Sequence, residues 1–332
     1  MKVRRPGIPA LALAAVLTFF LLEACVSPLP SGQTRKERQD RLSLTGRTTQ
    51  QATASRTKPA ARSAGSARRA FAWTDVNTRR VVEWRGDTAV VDPSVSPQRY
   101  QMSLDIDLDR LHGEIDAFGV PQKWMKLTFR NEAELRQKEE EFRRRIQTRG
   151  FRHNPAEDTI GPDPGWMVAR GREDLRGAAA GLLRLGRDRG VAAGLPLTGL
   201  LASFVQGLKY QSQPTTRQGA DGQTILVNGV SMPLETLYHG AGDCDSRCVL
   251  LATLMAHQAG AELVLLEGMD HMFAAVRGQP RPGDQMITLG GVAYILVELT
   301  DKWPLGRIPG ASWRGLGLKK FRVVRPGAGT GT

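Results

Sequence analysis

Three side chains in the last third of the chain could together perform nucleophilic catalysis. Cys244 offers a thiol, His271 an imidazole and Glu298 a carboxylate, with 27 residues from each one to the next. A thiol becomes an effective nucleophile when a base lies within hydrogen-bonding reach and a third group fixes the tautomer of that base. The three residue types therefore predict acyl transfer, in which sulfur attacks a carbonyl carbon and forms a thioester.

The residues around Cys244 predict a helix that would activate the thiol. An apolar segment follows Gly242-Asp-Cys244 and continues to Gly260, which favours a helix with Cys244 in its first turn. The positive end of a helix stabilises a thiolate and lowers the pKa of the thiol. Because glycines precede the cysteine and polar residues follow it, we expect a partly exposed sulfur.

Strands are predicted for the other two residues. Residues 261–267 and 269–276 have the apolar composition of strands, and His271 lies near the start of the second. Residues 292–300 predict a third strand, with Glu298 near its end. Helix, strand and strand in this order would place thiol, imidazole and carboxylate on neighbouring elements.

These residues resemble the transglutaminase-like superfamily, and its bacterial members in particular. The motifs that carry the resemblance, in the order of the family, are Phe204-Val-Gln206, Pro233-Leu-Glu-Thr-Leu237, Gly242-Asp-Cys-Asp-Ser246, Asp270-His-Met272 and Tyr294 to Thr300. They cover roughly residues 195 to 305. The resemblance implies an α+β fold with a papain-like core, in which the helix of the nucleophile packs on an antiparallel sheet.

The resemblance also implies a role for each residue. Cys244 would be the nucleophile, His271 the general base and then the general acid, and Glu298 the orienting carboxylate, with Asp301 as the alternative third member. Gln206 would donate to the oxyanion beside the backbone N–H of Cys244, and no cofactor is implied. Release of the acyl group to water would make a peptidase or amidase, and release to a lysine-like amine a crosslinker; the sequence leaves both open.

Two other classes of function stay open. His239, Cys244, Cys248 and His271 are ligand types that zinc accepts, although their spacing matches no usual zinc motif. Alternatively, the chain is a non-catalytic envelope scaffold that keeps the fold and binds peptide or glycan in the cleft.

The N-terminus predicts export and lipid anchoring. Residues 1–24 form a signal-peptide pattern, with basic residues ahead of an apolar run of 15 residues from Ile8 to Leu22. That run is short for a membrane-spanning helix, which needs about 20 residues. Leu22-Glu-Ala-Cys25 resembles the bacterial lipobox, which implies lipidation of Cys25. We expect a lipoprotein that faces the periplasm, with the outer membrane favoured.

Charge and composition divide the rest of the chain. Of the net charge of +13, residues 31–70 carry +8, from ten basic and two acidic residues. The remaining sequence is close to neutral, which argues against a nucleic-acid partner. Residues 25–70 predict a disordered basic linker, residues 71–165 a small α+β module, and residues 166–325 the catalytic domain. The expected partners are the membrane, through the anchor, and a peptide or protein amide substrate, cell-wall peptide among the candidates.

Overall fold

The computed structural model describes residues 65–77, 82–85, 88–91, 98–155, 158–268, 271–310 and 322–325. It has a mixed α+β architecture, as predicted. The α-helices are α1 Leu108–Ala117, α2 Glu132–Gln147, α3 Pro164–Gly171, α4 Arg176–Asp188, α5 Leu195–Gln206, α6 Pro233–His239 and α7 Cys244–Met255, and a 3-10 helix spans Gln122–Met125. Within the described ranges, no helix combines the length and the apolar character needed to cross a membrane.

The strands form several small sheets and one larger sheet. They are β1 Ser66–Asp75, β2 Val82–Arg85, β3 Thr88–Val91, β4 Gln98–Asp107, β5 Val120–Pro121, β6 Phe151–Asn154, β7 Thr159–Pro162, β8 Lys209–Tyr210, β9 Thr216–Gln218, β10 Thr224–Leu226, β11 Ala241–Gly242, β12 Leu263–Glu267, β13 Met272–Arg277, β14 Met286–Leu289, β15 Val292–Val297 and β16 Arg322–Val324. The larger sheet has the order β14-β15-β13-β12-β16, and all its pairs are antiparallel.

The register of the larger sheet brings the predicted base and acid together. Ala274 of β13 pairs with Val297 of β15. His271 directly precedes β13 and Glu298 directly follows β15. Since the two strands are antiparallel, the start of one lies beside the end of the other, at the same edge of the sheet.

Both faces of this sheet are buried, which explains its nearly continuous apolar strands. Leu265 belongs to the main hydrophobic core, whereas its neighbours Val264 and Leu266 belong to a second cluster. Alternate residues of a strand point to opposite faces. A strand covered on both faces therefore needs apolar residues at every position.

Helix α7 begins at Cys244 because Asp243 caps it. The side chain of Asp243 accepts hydrogen bonds from the backbone N–H of Ser246 at 3.0 Å and from its hydroxyl at 2.7 Å. Nearly all residues of α7 are buried, so the helix is apolar around most of its circumference. It packs against β13 and β12 of the larger sheet.

The N-terminal strand is longer than predicted. β1 begins at Ser66 and pairs with β4 along its whole length, from Ser66 opposite Asp107 to Asp75 opposite Gln98. The prediction of a disordered linker through residue 70 is therefore wrong for residues 66–70. Their small and basic composition conceals an alternating pattern, in which every second residue is partly buried.

Residues 1–64 lie outside the described residues, so the signal peptide, the lipidation of Cys25 and the rest of the linker stay predictions. The predicted boundary near residue 165 also stays a prediction. Elements on its two sides pack together: the ring of Trp73 in β1 meets that of Phe204 in α5, with 5.1 Å between the ring centroids.

Candidate active site

The imidazole of His271 and the carboxylate of Glu298 form a partly buried pair. His271 Nε2 lies 3.1 Å from Glu298 Oε2. The side chain of Glu298 is 2% exposed and that of His271 is 24% exposed. The other carboxylate oxygen of Glu298 accepts hydrogen bonds from the backbone N–H and the hydroxyl of Thr300, at 2.8 and 2.7 Å. One carboxylate oxygen is thus held by Thr300 while the other orients the imidazole.

Burial and hydrogen bonding have opposite effects on the pKa of Glu298. Burial raises it, because the charged form loses hydration, but the hydrogen bond and charge of His271 and the two hydrogen bonds from Thr300 lower it more. The pKa of Glu298 therefore lies below its ordinary value. The side chain is a carboxylate at neutral pH, as an orienting group requires.

Of the two acids that the sequence proposes as the third member, the structure brings Glu298 to the imidazole. Asp301 is exposed, and its side chain accepts the backbone N–H of Lys302 at 2.7 Å. Asp301 lies past the end of β15, in the turn that follows Thr300.

Cys244 lies at the first position of α7, as predicted, but the expectation of a partly exposed thiol is wrong. The residue is 3% exposed. The polar residues that follow do not open the site, because they turn inward: Ser246 and Arg247 are also buried and their polar atoms are hydrogen-bonded.

The position of Cys248 indicates which face of α7 carries Cys244. The thiol of Cys248 donates to the backbone carbonyl of Met272 at 3.4 Å. Residues i and i+4 of a helix share a face. Cys244 therefore lies on the face of α7 that is turned toward the start of β13, where His271 precedes Met272.

The thiol of Cys244 has a carboxylate close to it. Cys244 Sγ lies 3.3 Å from Asp245 Oδ1, with the thiol as donor. Catalysis would require the proton of this thiol to pass to the imidazole.

Gln206 has a different role from the one that the resemblance implies. Its amide nitrogen donates to the backbone carbonyls of Glu298 and Trp303 at 2.8 and 2.7 Å, and its amide oxygen accepts from Asn77 at 3.1 Å. Both amide hydrogens are therefore used within the protein, and neither is directed to an oxyanion. In this arrangement Gln206 positions the segment that contains Glu298.

Arg247 is the residue of the site that sequence reasoning missed. It is 1% exposed, and its guanidinium donates to the carbonyls of Gly242, Leu208 and Leu299 at 2.9, 2.6 and 2.7 Å. A fourth bond reaches the carbonyl of Thr300 at 3.2 Å. Arg247 thus connects the helix of Cys244 with the segment directly after Glu298. A charged residue one turn into an otherwise apolar helix was the available signal.

The four residues of the zinc hypothesis are spread over three places in the fold: His239 ends α6, Cys244 and Cys248 belong to α7, and His271 precedes β13. Cys248 is buried in the core, where burial raises the pKa of its thiol well above the ordinary range. His239 ends α6, and its ring contacts that of Tyr238, with 5.1 Å between centroids. Among the residues that the structure describes, no group of three or more His, Cys, Asp or Glu side chains is placed to hold a metal ion.

Comparisons of the chain with protein-family models, with curated proteins and with solved structures found no significant match.

Proposed function

We propose that this protein catalyses thiol-dependent acyl transfer with Cys244, His271 and Glu298 as a catalytic triad. The observation that carries the proposal is the 3.1 Å hydrogen bond between His271 and the buried Glu298, at the start of β13, against which the helix of Cys244 packs. An oriented imidazole beside a cysteine at a helix N-terminus is what nucleophilic catalysis requires. We also propose that the core is papain-like and the chain transglutaminase-like.

The reaction starts with transfer of the thiol proton of Cys244 to the imidazole of His271. The accepting atom is Nδ1, because Nε2 is hydrogen-bonded to Glu298. Sulfur then attacks the carbonyl carbon of an amide, and a C–S bond forms. The tetrahedral intermediate collapses with cleavage of the C–N bond, and the imidazolium gives its proton to the leaving amine. The acyl group remains on sulfur as a thioester.

The second half of the reaction releases the acyl group. Water, or an amine, attacks the thioester carbon while His271 accepts a proton from it. Cleavage of the C–S bond returns the thiolate, which recovers its proton from the imidazolium. Water as the acceptor gives hydrolysis, and an amine gives crosslinking. Glu298 stabilises the imidazolium in both halves through the bond to Nε2. The oxyanion donor that we retain is the backbone N–H of Cys244.

The proposal also concerns the location of the protein. We infer a lipoprotein of the bacterial envelope that is anchored through Cys25 and acts on a peptide or protein amide in the periplasm. Replacement of Cys25 by Ser should move the protein from the membrane fraction to the soluble fraction. If the variant stays with the membranes, the anchor is elsewhere.

The test of the chemistry is activity-based labelling of the thiol in envelope fractions. The wild type should react and should carry a captured acyl group on Cys244 that mass spectrometry identifies, whereas Cys244→Ala should carry none. His271→Ala should remain folded and lose the acyl group. Capture of the same acyl adduct in the His271 variant would contradict the triad.

The non-catalytic alternative has one observation in its favour, which is the 3% exposure of Cys244 together with its contact to Asp245. A scaffold with an inert thiol would look the same at this position. The labelling experiment separates the two functions, because an inert thiol would react only after the protein is unfolded.

A further inference from the structure

A cavity lies beside the N-terminal strand. Its volume is about 390 Å³, and it is lined by Arg69–Trp73 of β1, by the C-terminal end of α5 and by the C-terminal end of α6. None of the three proposed catalytic residues belongs to the lining. The volume is within the range of pockets that bind small ligands.

The cavity is bordered by the backbone of β1 as well as by side chains of the face that packs on α5 and α6. Five successive residues of the strand line it, although successive side chains point to opposite faces. Among the described residues, β1 pairs with β4 alone. The other edge of β1 is therefore open within the described part of the chain, and an extended peptide could add there as a further strand through its backbone.

The lining supplies hydrogen-bond donors and positive charge. Arg69 Nε and Trp73 Nε1 are buried, and neither has a hydrogen-bond partner within the described part of the chain. A buried donor without an acceptor is unfavourable, so these two groups call for an explanation such as a bound ligand or water. The lining contains Arg69 and His239 and no Asp or Glu. A ligand with an acceptor and a negative charge fits this composition.

The guanidinium of Arg69 is held in place by an aromatic ring. It lies 4.3 Å from the centroid of the Tyr238 ring, in a cation–π contact. Tyr238 belongs to α6, so the contact fixes the cation between β1 and that helix. A planar guanidinium so fixed is suited to bind a carboxylate through two parallel hydrogen bonds.

We propose that this cavity binds the carboxyl-terminal end of an extended peptide, with the peptide backbone along β1 and its carboxylate on Arg69. Gly240 lines the cavity and precedes Cys244 by four residues, so their Cα atoms are within about 15 Å of each other. A peptide held by its end could therefore present an internal amide to the thiol. Only this last step rests on the proposed acyl transfer; the binding itself does not.

The test compares two neighbouring arginines. Arg68→Gln is the matched control, because Arg68 is exposed and its side chain points to the opposite face of β1 from that of Arg69. Isothermal titration with acetyl-trialanine and with its C-terminal amide measures recognition of the carboxylate. The wild type and Arg68→Gln should bind the acid about tenfold more tightly than the amide, which is the size expected for one charge-assisted pair. Arg69→Gln should bind both peptides equally.

Further variants make the outcome unambiguous. Arg69→Lys keeps the charge and loses the planar fork, so its preference for the acid should lie between those of the wild type and Arg69→Gln. Cys244→Ala should bind like the wild type, which separates this proposal from the catalytic one. An equal affinity of the wild type for acid and amide, or a preference that survives in Arg69→Gln, overturns the proposal. Displacement by acetate at the same concentration as the tripeptide would show a simple anion site and would also overturn it.

Discussion

Glu114 should make the stability of this protein fall as the pH rises from about 5 to about 7. Its side chain is 0% exposed, and Oε2 accepts the backbone N–H of Leu234 at 2.9 Å, which caps the first turn of α6. Burial, with smaller contributions from nearby Asp174 and Glu235, raises the pKa of Glu114 from 4.5 to about 8. Between pH 4.5 and about pH 8 the side chain is therefore mostly a neutral acid in the folded protein, whereas it is mostly ionised in the unfolded chain.

The sign follows from proton binding. Between the unfolded value of 4.5 and the folded value of about 8, the folded state holds a proton that the unfolded state releases. The stabilisation is fully present below the unfolded pKa and is lost as the pH rises through the folded pKa. At about 1.4 kcal/mol per pH unit, the free energy of unfolding should fall by about 3 kcal/mol between pH 5 and pH 7.

Replacement of Glu114 by Gln isolates this effect. The amide keeps an acceptor for Leu234 and cannot ionise, so the variant should be more stable than the wild type at pH 7 by about 2 to 3 kcal/mol and close to it at pH 5. Glu132→Gln is the control, because the Glu132 side chain is 89% exposed. Urea unfolding at several pH values measures both. The same pH slope in the wild type and Glu114→Gln would refute the reasoning.

Two more predictions concern the groups in and around the proposed triad. Glu298→Gln removes the negative charge that holds the imidazole of His271. Alkylation of Cys244 at about pH 6, followed by mass spectrometry, should therefore slow by roughly tenfold or more. An unchanged alkylation rate would exclude Glu298 from the proposed triad. The pKa of Glu298 is also lowered in the folded protein. Its contribution to the free energy of unfolding is therefore present above the ordinary pKa of 4.5 and is lost as the pH falls through the folded value. In Glu298→Gln the free energy of unfolding should fall less steeply at acidic pH than in the wild type. Arg247→Met leaves without a donor the four backbone carbonyls that this side chain binds. Urea unfolding should show a loss of about 3 to 5 kcal/mol, with Arg247→Lys between this variant and the wild type. Equal stability of all three proteins would show that the buried hydrogen bonds contribute little.

The elements of the candidate site could be predicted because they carry local signals. The apolar segment that follows Cys244 predicts a helix with Cys244 in its first turn, and the apolar strands around His271 and Glu298 have the composition of a sheet buried on both faces. The observed ends of these elements differ from the predicted ends by a few residues. β13 begins at Met272, so His271 precedes the strand instead of belonging to it, and the helix ends at Met255, before Gly260.

The contacts that hold the site together carry no local signal. Gln206 and Arg247 bind carbonyls of a segment about 50 to 100 residues later in the chain, and which backbone groups they reach depends on the packing of α5 and α7. The pairing of β16 with β12 also joins distant segments. The burial of Cys244 was missed for a related reason, since polar neighbours such as Ser246 predict exposure unless their partners are known.

The most direct test of the account is the pH dependence of Cys244 alkylation by iodoacetamide in the wild type and in His271→Ala, with mass spectrometry to locate the label. Cys248 provides an internal control, because it is fully buried and should stay unlabelled in the folded protein. If the imidazole serves the thiol, the wild-type rate should inflect at least about one pH unit below the ordinary thiol value near 8.5, and the variant should move back toward that value. Identical profiles for the two proteins, or a Cys244 that reacts only after unfolding, would contradict a catalytic role for the thiol.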